Sequence, residues 1–251
     1  MEIIYGINPL AEALRMEPCR LVKIAVVNVK GMTKEALHSI LNLAGTKSIP
    51  VTFKEKREID KLTGHGSHQG VVGFYPSFAY ADLDQIMKNR HPASLYHLIL
   101  LLDEITDPQN LGAMIRTAHC HGANGVMIPE HRTATVTAAV IKASAGAALL
   151  TPVVRVANLS RAMDDLKKQG FWIYGADTHA GQKIHDVTYQ GDIGLVMGSE
   201  GRGMRPLIRK QCDFLVSIPM RGKIDSLNVS VAAGIILNDI VRKWAYMEGV
   251  E

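Results

Sequence analysis

Three short segments in the C-terminal half of the chain combine residue types that can do chemistry: Asn110-Leu111-Gly112-Ala113-Met114-Ile115-Arg116, Gly198-Ser199-Glu200-Gly201-Arg202-Gly203 and Asp225-Ser226-Leu227-Asn228-Val229-Ser230. They supply amide, carboxylate, hydroxyl and guanidinium groups. In the first two, glycine lets a ligand approach the backbone closely. Each follows an apolar run with the pattern of a buried strand, and the last opens a long helix. Ligands of open parallel sheets bind outside the carboxyl ends of the strands, so three such segments describe one site. Glu200 narrows what that site accepts. A carboxylate within a glycine-rich turn repels phosphate, and it favours a ligand of cationic character or a neighbouring Asn or Arg.

Taken singly, these residues also have structural roles. Pro108 ends the preceding strand, and Asn110 is placed to cap the helix that follows. Ser226 is placed to cap the final helix, with Asn228 and Ser230 in its first turn. Arg116 lies nearly two turns beyond Asn110, on about the side of residues 112 and 113. The specificity of the pattern lies in all three segments occurring in order.

The elements that must position them form two regions. Residues 1–76 read as a helix at about Pro9–Arg15, strand Leu21–Val27, helix Thr33–Ala44, strand Ile49–Phe53, short helix Lys54–Leu62 and strand Gly70–Tyr75, a small α/β layer domain. Residues 77–95 read as a linker with one short helix at Leu83–Lys88. From residue 96 to 251 the strands become continuous apolar runs: His97–Leu102, Gly125–Ile128, Pro152–Val156, Phe171–Ala176, Ile193–Met197 and Phe214–Ile218. Runs without alternation fit strands covered on both faces, hence a parallel α/β sheet of about six strands. The final helix, Leu227–Glu248, is apolar on nearly every face through its first half. It is therefore expected to be buried on more than one side, either centrally or against a second subunit.

Bulk properties exclude several classes. The chain has 251 residues, with 47% hydrophobic and 21% charged residues, as in a globular protein of one large or two modest domains. No apolar run approaches the ~20 residues that cross a bilayer, and the start of the chain has no basic leader pattern. Three widely spaced cysteines, Cys19, Cys120 and Cys212, argue against a disulfide framework and fit the cytoplasm. A net charge of +4 permits a polyanionic partner without demanding one. No P-loop, no dinucleotide glycine fingerprint after the first strand of the second region, and no nucleophile elbow occurs. No metal site is expected. His119 and His121 are two residues apart on a helix and point about 200° apart. His65 and His68 lie in a Gly-rich turn that reads either as a plain surface turn or as a surface contact to a phosphate or base.

On these motifs the second region resembles the SpoU/TrmH family of the SPOUT class, RNA ribose 2′-O-methyltransferases. Asn110 with Arg116 matches the first family motif, Gly198–Gly201 the second and Ser226–Ser230 the third. Tyr5–Leu14 and His68-Gln69-Gly70-Val71-Val72 resemble the N-terminal RNA-binding domain of the group that methylates a guanosine of 23S ribosomal RNA. Related tRNA enzymes share parts of this pattern. The resemblance implies a parallel-sheet α/β fold with a trefoil knot, a homodimer joined through knot-region helices, and S-adenosylmethionine as cofactor. It also implies that Gly198, Ile218 and Leu227 hold the adenosyl part, with Thr178, Met197, Ser199, Gly201 and Met220 lining the pocket. Arg116 would orient the RNA phosphate and hydroxyl, kept in register by Asn110, Glu200, Ser226 and Asn228. A neutral arginine is too costly to act as base, so a phosphate oxygen or water would take the proton. RNA contacts would come from Arg15, Arg20, Lys23, Lys30, Lys34 and His68. Two other classes remain: a non-catalytic RNA-binding or assembly protein, which would be expected to lack Arg116 or Glu200, and a small-molecule α/β enzyme, whose phosphate or dinucleotide motifs are missing.

Overall fold

The computed structural model describes residues 1–27, 34–89, 94 and 96–248. In chain order the first elements are β1 (Glu2–Tyr5), α1 (Ile7–Arg15), β2 (Lys23–Val27), α2 (Lys34–Thr46), β3 (Val51–Lys54), α3 (Lys56–Leu62) and β4 (Val71–Tyr75). Next come α4 (Leu83–Lys88), β5 (Leu98–Leu102), α5 (Pro108–Cys120), β6 (Gly125–Pro129), α6 (Ala138–Ala143) and α7 (Ala147–Leu150). The chain ends with β7 (Val153–Val156), α8 (Leu159–Lys168), β8 (Trp172–Ala176), β9 (Gln182–Lys183), β10 (Ile193–Met197), α9 (Pro206–Gln211), β11 (Phe214–Ser217) and α10 (Val229–Glu248). Among the described residues no helix is long and apolar enough to cross a membrane.

Two compact units result: Met1–Ala79 with Thr135–Leu150, and Tyr80–Ala134 with Thr151–Glu251. The first holds a sheet in the order β1-β4-β2-β3, with β2 and β3 parallel and the other pairs antiparallel. Gly73 lets Leu10 and Leu21 pack close on β4, since a Cβ would lie 2.5 Å and 2.7 Å from their terminal methyls. On one face Ala25 and Val72 pack with Ile59 of α3. Strand β1 was not anticipated; its four residues are too few to show a period.

The sequence boundaries assign 135–150 to the second region, whereas in the structure this stretch belongs to the first unit. Helix α6 packs against β1 and α7 against α1, and Val140 and Ile141 are fully buried. In the sequence these apolar residues look like those of any helix crossing between parallel strands. The chain therefore passes between the units at 79–80, 134–135 and 150–151.

The second unit holds a sheet in the order β7-β6-β5-β10-β8-β11-β9, every pair parallel. All residues of the central β5 and β10 are buried, which is why their sequences run apolar without alternation. Ile99, Leu101 and Val196 join Met163, Leu166 and Ile208 in one core cluster. The strand beyond the six anticipated, β9, has only two residues, paired with Val216 and Ser217. Helix α10 begins at Val229 rather than Leu227 and packs on α5. It buries Ala233, Ile236, Leu237 and Ile240, while Val231 stays 49% and Ile235 38% exposed.

Candidate active site

Strands β10, β8 and β11 are adjacent and parallel, so the residues after Met197, Ala176 and Ser217 emerge together at one sheet edge. Here lie Thr178, the Gly198–Gly203 loop, Ile218 and Met220. The loop closes on itself. Ser199 N donates to Gly203 O at 3.1 Å, and Gly203 N donates to Ser199 O at 2.9 Å. Gly201 and Gly203 adopt φ of 82° and 68°, a region costly for other residues. Gly198 has no room for a side chain, since a Cβ would sit 2.2 Å from both Gly203 C and Met204 N. Glu200, Gly201 and Arg202 are left exposed at the tip.

The base of this loop is bolted to β5. Asp103, fully buried just beyond Leu102, accepts hydrogen bonds from Arg205 N at 2.8 Å and Arg205 Nε at 2.7 Å. Its own N–H donates to Met197 O at 2.8 Å. Sequence reasoning did not single out this pair. The available signal was a carboxylate ending a fully apolar strand, but its partner lies 102 residues away.

The three motifs meet through side chains. Asn110 Nδ2 donates to Glu200 Oε2 at 3.3 Å, and Asn228 Nδ2 donates to Asn110 Oδ1 at 3.0 Å. Asn228 Oδ1 in turn accepts from Ser230 N at 3.0 Å and Ser230 Oγ at 2.6 Å.

This relay corrects the capping roles. Pro108 does not end the strand but is the first residue of α5. The N-cap is Asp107, whose side chain accepts from Gln109 N at 3.0 Å. Asn110 is thereby released to face the other two segments. At the last helix the side chain taking the first free N–H groups is that of Asn228, not Ser226. Ser226 is exposed and makes no hydrogen bond among the described residues.

Arg116 also differs from expectation. Neither Asn110, Glu200, Ser226 nor Asn228 binds it; it is exposed on α5 without a hydrogen-bond or ion-pair partner among the described residues. Its five donors are free for a ligand. Of the residues assigned to the cofactor, Met197 and Gly198 are buried, Ser199 and Ile218 are half-buried, and Thr178 and Gly201 are exposed. Met220 and Leu227 are 36% and 37% exposed.

In the first unit, His68 is buried rather than presented to RNA. Its Nε2 lies 2.8 Å from Asp60 Oδ1, and its Nδ1 accepts from Gly70 N at 3.0 Å. With both ring nitrogens used internally, the residue holds its own turn. Arg15 is paired with Glu12, and Lys23 lies over the Phe74 ring at 4.8 Å. Arg20 is exposed, Lys34 opens α2, and Lys30 lies outside the described residues. His119 and His121 turn to separate partners, Thr151 Oγ1 and Thr117 O.

Known proteins match this chain along its length. The SpoU rRNA Methylase family matches residues 97–238, and the RNA 2′-O ribose methyltransferase substrate binding domain matches residues 3–81. The 23S rRNA (guanosine-2′-O-)-methyltransferase RlmB of Haemophilus influenzae is 40% identical over 246 residues, covering 96% of this chain and 98% of its own. RlmB of Pseudomonas putida is 39% identical over 246 residues, covering 97% of each. Among solved structures, the SpoU methyltransferase AviRb from Streptomyces viridochromogenes, in complex with the cofactor AdoMet, has a TM-score of 0.80 at 26% identity. It covers 96% of this chain and 89% of its own. With its strand-end motifs joined by one hydrogen-bond relay, the chain belongs to the SpoU methyltransferase family.

Proposed function

We propose that this protein transfers the methyl group of S-adenosylmethionine to the ribose 2′-hydroxyl of a guanosine in 23S ribosomal RNA, in the cytoplasm and as a homodimer. The observation that carries the reading is the Glu200–Asn110–Asn228 relay at the ends of adjacent parallel strands. The substrate is that of the RlmB relatives, similar over nearly the whole chain.

The residues present fit the cofactor. Backbone groups at Gly198, Ile218 and Leu227, with the half-exposed apolar side chains of Met220 and Leu227, suit a nucleoside, and the Glu200 carboxylate suits a sulfonium centre. Thr178, Met197, Ser199 and Gly201 complete the lining. When bound, S-adenosylmethionine supplies an electrophilic methyl group. Arg116 then orients an RNA phosphate and the 2′-hydroxyl, remaining protonated throughout. The hydroxyl proton would leave to a phosphate oxygen or water as the oxygen–methyl bond forms and the sulfur–methyl bond breaks, its electron pair returning to sulfur to leave a neutral thioether. The relay of Glu200, Asn110 and Asn228 holds the three motifs in one register, and Ser226, two residues before Asn228, joins the same reading. Fixed alignment of this kind lowers the barrier substantially.

Val231 and Ile235, one turn apart and exposed on α10, support self-association, since contiguous exposed apolar residues mark interaction surfaces. The family's knot belongs to the same reading. It is consistent with β11 lying beyond β8 while α10 returns to α5.

The test is methyl transfer from labelled S-adenosylmethionine to unmodified 23S rRNA and, in parallel, to bulk tRNA, with the modified ribose mapped. One new 2′-O-methylguanosine in the rRNA is expected. Label in tRNA alone would overturn the substrate but keep the reaction. R116A should lose at least about 100-fold in turnover, the scale of losing a group that aligns the reactants, while still binding cofactor. Normal turnover by R116A would remove the arginine from the mechanism.

A further inference from the structure

Helix α3 and the turn after it are charged and built differently from the rest of the first unit. Their acids are mostly engaged. Glu58 accepts from Lys54 Nζ at 2.6 Å and from Glu55 N at 3.1 Å, and Lys54 beside it holds its carboxyl below the usual carboxylate range. Asp60 is taken by His68. What remains is Glu55 at the helix N-cap against three exposed cations, Lys56, Arg57 and Lys61. None of the three has an acidic partner among the described residues. Arg57 and Lys61 are four residues apart and share a helix face. The cations elsewhere in this unit are largely committed: Arg15 to Glu12, Lys47 to Glu17, and Lys23 to the Phe74 ring.

The turn that ends α3 is held rigidly. His65 N donates to Asp60 O at 2.8 Å, and Gly66 N donates to Thr63 O at 3.1 Å. Lys142 Nζ donates to Ser67 O at 2.6 Å and to Gln69 Oε1 at 3.1 Å. Gly66 sits so close to the Tyr5 hydroxyl that a Cβ would be 2.9 Å away. Within this frame His65 has φ of 60°, a left-handed conformation that a non-glycine residue adopts at a cost. Its imidazole is exposed, with no partner among the described residues. Buried His68 fastens the turn, and exposed His65 is its displayed residue.

We infer that α3 and this turn form the RNA-contacting surface of the first unit. Lys56, Arg57 and Lys61 meet backbone phosphates, and His65 bonds a phosphate or stacks on an unpaired base. Uncompensated cations on a preset frame suit phosphate binding, because no internal ion pair must break. An exposed imidazole on a rigid turn suits the splayed bases of single-stranded RNA. The inference rests on the reading above that the protein binds RNA.

The experiment is filter binding of the full-length protein to transcribed 23S rRNA across a salt series, with calorimetric S-adenosylmethionine binding as the check on folding. For K56E/R57E/K61E the expected result is at least a 30-fold loss of RNA affinity. The slope of log K against log salt should fall by about 2, since each phosphate contact contributes ~0.7–0.9. H65A should lose severalfold with the slope kept. K47Q, which removes a cation already paired with Glu17, should stay within about threefold, as surface pairs contribute little. If the triple variant keeps wild-type affinity and slope, the inference is overturned. Should it fail to bind cofactor, K61Q decides: a slope reduced by about 0.7 supports the surface, and an unchanged slope overturns it. A wild-type protein that binds cofactor but no RNA would instead overturn the functional reading.

Discussion

The two glycine-containing stretches that meet at the candidate site differ in how far they are tied down. Residues 198–205 close on themselves through the Ser199–Gly203 bonds, are anchored by buried Asp103, and reach Asn110 through Glu200. Residues 219–227 make no hydrogen bond among the described residues until Asn228, and all are exposed, with Ile224 at 76%. Local composition does not explain the contrast, for both contain glycine, arginine and polar residues. What differs is a fixed partner. The first stretch returns to a buried carboxylate at the end of the neighbouring strand, whereas the second leaves the sheet with apolar side chains facing outward. One wall of the candidate site is preset by its own contacts, and the other makes none among the described residues.

Breaking the preset wall should have the largest effect. In G198A the new Cβ would meet two backbone atoms at 2.2 Å, and no side chain can rotate away to relieve it. Overpacking costs about 3 kcal/mol at the upper end of its usual range. If this falls on the loop, S-adenosylmethionine affinity drops about 100-fold, readable by calorimetry. Wild-type affinity in G198A would mean that the loop is not preset. Next in size is D103A, which removes the bonds from Arg205 N and Nε and the Nη2 contact. Breaking a buried pair costs about 3–5 kcal/mol, but Arg205 is 39% exposed and water recovers part of that. A loss of about 2–3 kcal/mol in urea unfolding is expected.

The same contrast explains what could be read in the sequence. Strands β5 and β10 were legible because a strand covered on both faces writes its burial as an uninterrupted apolar run. The three motifs were legible as one site because strand-end placement follows from the parallel fold. The capping roles were not. Asp107 and Asn110 are both good caps, and only the entry of the chain into α5 at Pro108 decides between them. The membership of α6 in the first unit was equally hidden, since a helix's apolar face does not say which sheet it covers. His65 and His68 sit three residues apart in one turn, yet one is exposed and the other buried. That division is set by Asp60 and Gly70, which no periodicity connects to them.

Between the two walls stands the relay, and its members can be separated. N110A removes the central link, with bonds to Glu200 and Asn228. Turnover should fall about tenfold, the value of roughly 1.4 kcal/mol of lost alignment, while cofactor affinity changes little. N228A should add a stability loss of about 1 kcal/mol, because this side chain also takes the N–H groups of Ser230 and Val231 at the start of α10. Equal stability of the two variants would show that the cap is not held in solution.

The smallest change, and the one that sharpens the contrast most directly, should appear in hydrogen exchange. Amides lacking hydrogen bonds and exposed to water exchange with little protection. Residues 220–227 should therefore exchange fast in the free protein, whereas Ser199 and Gly203, whose N–H groups are bonded, should exchange more slowly. Saturating S-adenosylmethionine should slow 220–227 severalfold and leave Ser199 and Gly203 nearly unchanged, because only the open wall gains order. Binding that orders a segment spends part of its free energy on lost conformational freedom, so shortening that freedom should tighten binding. Slowing of both stretches alike would mean that the preset wall is also completed by the ligand, and the distinction between them would then be one of degree.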